Sequence, residues 1–426
     1  MNDNWKAPLI LIALAGSTAV AAPAFDPATT ITAADRPEGV ALADFDADGD
    51  VDMAVTTDNI DKINIYMNEG GTFATPVIVP TGGGSGPDDL VAADVDGDGD
   101  ADLVVVLKNI NAVRVYMNTG GVFAAGATVS TGEEPVDIAA GDLTGDGFED
   151  FVTANREGQS FTVLTNNGGI LSASTFAGGA EPRAAAIGEF TGDSVVDIAI
   201  SDHDNRIVNI HSGAVGYAVV QGLPVNPAAR PDGVTAGDFN SDGRMDLAAT
   251  SSDDFFNTAA VWLNTGAGMG ERADFQVNGA DVSDISAADL DGDGDLDLVT
   301  SNQESNTMST LENTGAGVFN AGVAMATGVR PGSIAIGDVD GNGGVDIAIA
   351  NRDSNTVSLF HNQNGGAGPC SAADLAEPFG VLNFFDVSGF VNAFSAGDAS
   401  ADLNGDGQLN FFDTSAFLSS FSAGCP

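Results

Sequence analysis

The feature that most constrains this chain is a nine-residue run, Asp94-Val-Asp-Gly-Asp-Gly-Asp-Ala-Asp102, that recurs seven times. Counted from position 1, the copies begin at Asp44, Asp94, Asp142, Glu189, Asp238, Asp289 and Asp338, at intervals of 50, 48, 47, 49, 51 and 49 residues. Spacing this regular marks a repeat architecture into which every other reading must fit. Alternating carboxylates this dense repel one another unless a cation lies among them. Side-chain oxygens from positions 1, 3, 5 and 9, with the backbone carbonyl of position 7, suit Ca²⁺, which takes six to eight hard oxygen ligands. The glycines between them let the backbone wrap tightly. Acidic turns without metal are the alternative.

The seven loops differ in completeness. Loops one, two and six place Asp at all four side-chain positions: Asp44, Asp46, Asp48 and Asp52; Asp94, Asp96, Asp98 and Asp102; Asp289, Asp291, Asp293 and Asp297. Their position-7 carbonyls belong to Asp50, Asp100 and Asp295. Loop five offers Asp238, Asn240, Asp242 and Asp246 with the Arg244 carbonyl, and loop seven offers Asp338, Asp340, Asn342 and Asp346 with that of Gly344. Loop three has Asp142, Thr144, Asp146 and Asp150 with Phe148 at position 7. Loop four is the weakest: Glu189, Thr191, Asp193 and Asp197, with Ser194 where the others have Gly. The ions are expected to be structural, with affinities around 10⁻⁴ M or tighter.

Residues 40–79 illustrate one unit. Val40 to Asp44 reads as a strand entering the loop, Val51 to Val55 as the strand leaving it, Ile63 to Met67 as a third strand and Phe73 to Val79 as a fourth. Four antiparallel strands per ~50 residues fit a β-propeller blade. The acidic loop followed by an apolar strand, seven times over residues 25 to 362, resembles the FG-GAP/VCBS repeat family. That resemblance implies an all-β, seven-bladed propeller with Ca²⁺ in the loop between each blade's first two strands. The seventh unit stops near Asn362 without a fourth strand, whereas Phe25 to Thr32 precedes the first unit and matches the fourth-strand segments Phe73 to Val79 and Phe123 to Val129. The N-terminal segment is therefore expected to complete and close the last blade.

The formal net charge is −48, from 13 basic and 61 acidic residues. This balance argues against nucleic acid as a partner, because phosphate binding needs clustered Lys and Arg. Residues 1–24 read as a secretory signal peptide, with Lys6, an apolar run from Leu9 to Ala15, and cleavage after Ala21 or Ala24. The run is too short to span a bilayer comfortably. A secreted or cell-surface location follows, with no transmembrane segment in the mature chain. The propeller is assigned to residues 25–361 and a Gly/Asn linker to 362–369.

On the face opposite the acidic loops, a Pro-containing turn enters six of the seven first strands. Arg36, Arg183, Arg230 and Arg330 lie in these turns, and Lys62, Lys108, Arg156, Arg206 and Arg352 lie in or beside the turns between second and third strands. Nine of the 12 basic residues left without Lys6 thus fall on this face, as solubilising decoration or as a partner-binding surface. No nucleophile–base–acid set can be recognised. His203, His211 and His361 share no signature, and sugar-stacking aromatics are few, with Trp262 the one Trp outside the leader. The expected function is a non-enzymatic, calcium-stabilised adhesion or binding scaffold for a protein or polysaccharide outside the cytoplasm. The alternative is a calcium-dependent lectin or polysaccharide-acting enzyme using the face opposite the metals.

The tail, residues 370–426, holds a duplication. Asp374 to Asp386 aligns with Asp402-Leu-Asn-Gly-Asp-Gly-Gln-Leu-Asn-Phe-Phe-Asp413, a second kind of Ca²⁺ loop with Asp402, Asn404, Asp406, the Gln408 carbonyl, Asn410 and Asp413 in the ligand roles. Phenylalanines spaced i, i+4 follow each copy, Phe390 and Phe394, then Phe417 and Phe421, as on amphipathic helices. Cys370 and Cys425, the two cysteines of the chain, bracket this segment and read as one disulfide, or as two buried thiols. In the loop-entropy view such a bridge contributes about 4 kcal/mol. The paired half-motifs resemble an EF-hand-like, GC-type dockerin. That implies a small α-helical anchoring module with a cohesin-like or cell-envelope partner, and one or two further Ca²⁺ ions.

Overall fold

The computed structural model describes residues 23–364 except Ala34 and 253–256, together with Thr414 of the tail. Its described strands form seven four-stranded antiparallel sheets. In blade one the strands are Pro37–Ala43, Asp52–Thr57, Lys62–Tyr66 and Val77–Pro80. The first strand of each sheet touches that of the next, and the first strand of the seventh sheet touches that of the first, so the sheets close into a ring. The chain is an all-β, seven-bladed propeller.

The local chemistry explains the layering. Second strands are buried from end to end, as in Asp102–Leu107, where Leu103 to Leu107 form a continuous apolar run behind the Asp. That is what a strand covered on both faces requires. First strands line the axis and use small residues, because seven of them converge there. A Cβ on Gly39 would lie 2.9 Å from the Asp88 carbonyl oxygen and the Asp89 Cα, so only glycine fits. Fourth strands face outward and leave Val77, Ile78, Val219 and Val220 about half exposed. The apolar clusters lie between blades rather than within them. One packs Phe45, Ile63 and Ile65 of blade one against Leu103, Val105 and Tyr116 of blade two.

Two strands are shorter than the sequence pattern predicts. The fourth strand of blade one starts only at Val77, after Pro76, and Phe73 makes an isolated bridge to Asn68 instead. Near the N-terminus, Thr29–Thr32 pairs antiparallel with Thr356–Phe360, with Ile31 opposite Val357, while Phe25 bridges separately to Asn362. Pro27 and Pro76 each lack the N–H a ladder needs. The seventh sheet has the order Thr29–Thr32, Thr356–Phe360, Asp346–Asn351, Pro331–Gly337.

First strands carry a register shift just after the turn that enters them, for example between Pro87 and Leu90, Pro182 and Ala185, and Pro331 and Ile334. Such a bulge re-aims side chains at the axis. Trp262 is 1% exposed and fills the seam between blades four and five with Phe190, Ala199 and Met269. Replacing Trp262 by Ala should lower stability by about 3–5 kcal/mol, the usual cost of a large core deletion. Denaturant unfolding followed by circular dichroism checks this; a midpoint equal to wild type would mean the seam collapses around the gap.

Candidate metal loops and the channel mouth

Position 9 of every loop is the first residue of the blade's second strand: Asp52, Asp102, Asp150, Asp197, Asp246, Asp297 and Asp346. All seven are 0–1% exposed. One carboxylate oxygen accepts the N–H of loop position 2, at 2.8 Å from Phe45 and 3.1 Å from Val95. Leu143, Phe190, Phe239, Leu290 and Val339 donate in the same way. The other oxygen accepts an N–H at the end of the third strand, from Asn68, Asn118, Asn166, Gly213, Asn264, Asn313 and Asn362 in turn. This carboxylate brackets loop, second strand and third strand together. Burial pushes Asp52, Asp102 and Asp246 up to about 6 and Asp297 up to about 7, against the opposing pull of those backbone N–H groups. Asp150 and Asp346 shift upward for the same reason.

The other ligand positions shape the loop. Asp94 Oδ1 accepts from Gly97 and Asp98, and Oδ2 from Gly99. Position 5 accepts the N–H of position 7 in all seven loops, from Asp48, Asp98, Asp146, Asp193, Asp242, Asp293 and Asn342. Asp142 is held below the usual carboxylate range by N–H donors, the first of them Gly147. In loops one, two and six, Asp44, Asp46 and Asp48, Asp94, Asp96 and Asp102, and Asp289, Asp291 and Asp297 each bring ligand oxygens within 4.8 Å of one another. A purely anionic oxygen set of this kind fits a hard dication such as Ca²⁺. Burial and the neighbouring Asp293 push Asp291 up to about 6, the repulsion a cation would relieve.

Loops four and five depart from this pattern. Glu189 reaches the turn through one oxygen, Oε1, which accepts from Thr191, Gly192 and Asp193, and Ser194 adopts a left-handed φ of 66° where the other loops use Gly. In loop five the Arg244 side chain pairs with Asp242 and donates to the Asn264 carbonyl, so a cation already sits beside position 5. The position-7 side chains of Asp50 and Asp100 cap the N–H groups of Gly70 and Gly120. Asp295 accepts from Ser241 of the preceding blade, and the Phe148 ring lies over Gly97 of loop two.

Sequence reasoning missed the residues that stitch the loops to one another. Asn118 Nδ2 donates 2.7 Å to the carbonyl of Phe45, at position 2 of the preceding blade's loop, and 3.0 Å to Ala101. Asn68, Asn166, Asn313 and Asn362 bond the loop-two-position carbonyls Val339, Val95, Phe239 and Leu290, and Asn264 bonds the Glu189 carbonyl. The signal was present as a recurrent Asn before a Gly-containing turn, as in Asn118-Thr-Gly-Gly121 and Asn313-Thr-Gly-Ala-Gly317. Blade four has Ser212-Gly213 there and lacks the stitch. At that seam Phe161 instead packs on His211 and Phe176, with centroids at 4.6 and 5.4 Å, and Phe176 packs on Tyr217 at 5.1 Å.

At the other end of the ring, a mouth of about 530 Å³ opens over the axis. The cations lining it or lying beside it are paired. Arg36 bonds Glu38 and Asp58, Lys108 bonds Asp88 and Asp58, Arg156 bonds Glu134, Arg183 bonds Glu181, Arg230 lies 3.9 Å from Asp204, and Arg352 bonds Glu38. Arg330 donates to Gln303. His203 Nδ1 lies 3.1 Å from Glu181 Oε2, and its Nε2 3.8 Å from Asp232. Below them, the strand bulges aim Asp89, Asp137 and Asp284 at the channel, and each accepts an N–H from the next blade, Ile138, Ala185 and Ile334. Burial pushes Asp89 up to about 7 and Asp284 up to about 6, and Asp137 well above the usual range.

A family model described as FG-GAP-like repeat matches residues 44–105, 94–153, 238–300 and 289–349, more than half of the chain. The chain belongs to the FG-GAP-like repeat family. Each matched FG-GAP-like window opens at position 1 of a loop and ends inside the next blade's second strand. No curated protein matches the chain. Among solved structures, it is similar to virginiamycin B lyase from Staphylococcus aureus, with TM-score 0.57 and 12% identity over 79% of this chain and 99% of that one. It is also similar to Kuenenia stuttgartiensis hydrazine synthase, with TM-score 0.56 and 12% identity over 77% and 96%. At these identities the likeness is one of fold. The tail residues Cys370, Cys425, Asp402, Asn404, Asp406, Gln408, Asn410 and Asp413 lie outside the described residues.

Three outcomes follow for the FG-GAP-like loops. Asn118→Ala, which leaves the buried Phe45 carbonyl without its donor, should cost about 1–3 kcal/mol in denaturant unfolding. Asp98→Ala should lower the melting temperature in Ca²⁺ far more than Asp193→Ala, because loop two is complete and loop four is not; equal shifts would overturn that ranking. The third concerns pH. A carboxyl raised in the folded state binds protons more tightly there than in the unfolded chain, so its contribution is present at low pH and lost as pH rises towards 6–7. Chelated protein should therefore melt higher near pH 5 than near pH 7.5, and saturating Ca²⁺ should remove or reverse that slope.

Proposed function

We propose that the chain is an exported, calcium-binding propeller that acts as a non-enzymatic adhesion or binding scaffold. The observation that carries this reading is the division of labour between its two faces. One face repeats acidic loops whose buried carboxylates and oxygen clusters suit structural Ca²⁺. The other opens into a mouth lined by residues that differ from blade to blade. In this reading the strand Thr29–Thr32 shuts the ring, and the tail docks the protein through a dockerin-like module closed by a Cys370–Cys425 disulfide. Among the described residues no helix is long and apolar enough to cross a membrane.

One observation favours a second reading, a lectin or polysaccharide-acting enzyme. His203 lies between Glu181 and Asp232 at the mouth, an arrangement that could serve proton transfer. Against it, Arg183 pairs with Glu181 and lies 3.9 Å from Asp232, and among the described residues no Phe, Tyr or Trp lines the mouth.

Full-length protein should melt many degrees higher in millimolar Ca²⁺ than in excess EDTA, since a ligand that binds only the folded state stabilises it. On glycan and protein arrays, binding should be lost with chelator and unaffected by His203→Gln. Turnover of a polysaccharide that His203→Gln abolishes would establish the enzymatic reading instead.

A further inference from the structure

Loop seven breaks the oxygen-only rule of the other loops. Its position-9 and position-3 carboxylates, Asp346 and Asp340, face an imidazole. His361 Nδ1 lies 3.2 Å from Asp346 Oδ2 and 3.5 Å from Asp340 Oδ2, and the three ligand atoms lie within 4.8 Å of one another. His361 directly follows the third strand, at the position filled by Met67, Met117, Thr165, Leu263 and Glu312 in other blades. Position 5, Asp in the six other loops, is Asn342, and its Nδ2 donates 2.9 Å to the Asn362 carbonyl. The loop has thus exchanged one anionic oxygen for one nitrogen.

The place of this exchange in the fold matters. Loop seven lies where the first and last strands of the propeller meet: Asp26 donates to the His361 carbonyl, Gln363 donates to that of Ala24, and Phe25 bridges Asn362. The turn between the third and fourth strands of blade one also approaches it: a Cβ on Gly71 would lie 3.7 Å from the Asp340 Cβ. Among the described residues no Lys or Arg pairs with Asp338, Asp340 or Asp346. The comparable set at the mouth, Glu181, His203 and Asp204, is instead shared with Arg183 and Arg230.

We infer that Asp340, Asp346 and His361 form a mixed nitrogen–oxygen site for a first-row transition dication of the Zn²⁺ class, which fastens the loop of blade seven to the end of the third strand that pairs with Thr29–Thr32. Imidazole is a ligand that Zn²⁺ and its neighbours take readily and Ca²⁺ does not, whereas the all-oxygen loops favour the harder ion. An ion here cross-links the second strand, the end of the third strand and the loop of blade seven. This inference rests on the loops being divalent-cation sites. The competing role for His361 is a plain hydrogen bond to Asp346.

Co²⁺ serves as the probe, because nitrogen ligation shows in its visible absorption. Full-length protein with alkylated thiols is held in millimolar Ca²⁺ and titrated with Co²⁺, and bound Ca²⁺ and Co²⁺ are counted by equilibrium dialysis. One Co²⁺ equivalent should bind, show ligand-field bands and yield to Zn²⁺ but not to Ca²⁺. His361→Met, which installs the residue of blades one and two, should keep the Ca²⁺ count and weaken that equivalent tenfold or more. His203→Gln should leave it unchanged. The inference is overturned if wild type binds no Co²⁺ beyond Ca²⁺ saturation, if His361→Met binds it equally well, or if His203→Gln removes it. A wild-type Ca²⁺ count of zero would instead remove the calcium reading and leave the Co²⁺ result to be judged separately.

Discussion

The structure depends on a buried carboxylate that recurs seven times. At position 9 an Asp is withdrawn from water, and both its oxygens are held by backbone N–H groups, one from the loop and one from the end of the third strand. A buried anion is costly unless it is paired and hydrogen-bonded. The N–H donors meet part of that cost, and a cation among the neighbouring carboxylates would offset more of it. The same Asp opens the second strand, so loop geometry and strand position are set by one side chain. The Asn that ends the third strand then carries the connection to the preceding blade's loop. Loop order is thereby coupled to the packing between blades, and the acidic-loop face is continuous with the core.

Blade four shows what happens when parts of this scheme are exchanged together. Its loop begins with Glu189, its sixth position is Ser194, and its third strand ends in Ser212-Gly213. Gly213 still donates to Asp197, so the bracket within the blade survives. The stitch to loop three does not, because glycine has no side chain to donate. Aromatic packing by Phe161, Phe176, His211 and Tyr217 occupies that seam. The burial of those rings replaces a directional bond with a less directional one. His211 pays for this with an Nε2 that has no hydrogen-bond partner and with a lowered basicity caused by burial.

The fold was legible because the repeat is encoded in residues with narrow physical roles. Acidic positions two apart define the loop, and the apolar run behind them defines a strand buried on both sides. Strand ends were less legible where proline removes a ladder donor, as at Pro27 and Pro76. The stitching Asn was hidden by its company: beside Gly-Gly it looks like an ordinary turn residue, and its partner lies about 70 residues earlier in the chain. Asp89, Asp137 and Asp284 were hidden for another reason. A register shift in the first strand decides which side chain faces the axis, and a strict two-residue alternation does not foresee it.

The two faces differ in how far they obey the repeat, and that difference bears on where specificity can reside. On the acidic-loop face, position 9 is Asp in all seven blades and position 5 is Asp in six. At the axis, the third residue of the turn-and-strand segment is Gly39, Asp89, Asp137, Ala184, Gly233, Asp284 or Ser333. A ring of identical groups presents seven equivalent sites and cannot orient an asymmetric partner. A ring in which three carboxylates, two glycines, one alanine and one serine alternate irregularly has a defined rotational setting. Arg183 and His203 on one side of the mouth, and Arg352 and Lys108 on another, add to that asymmetry. Stability is assigned to the positions that repeat, and any discrimination between partners would have to come from those that do not.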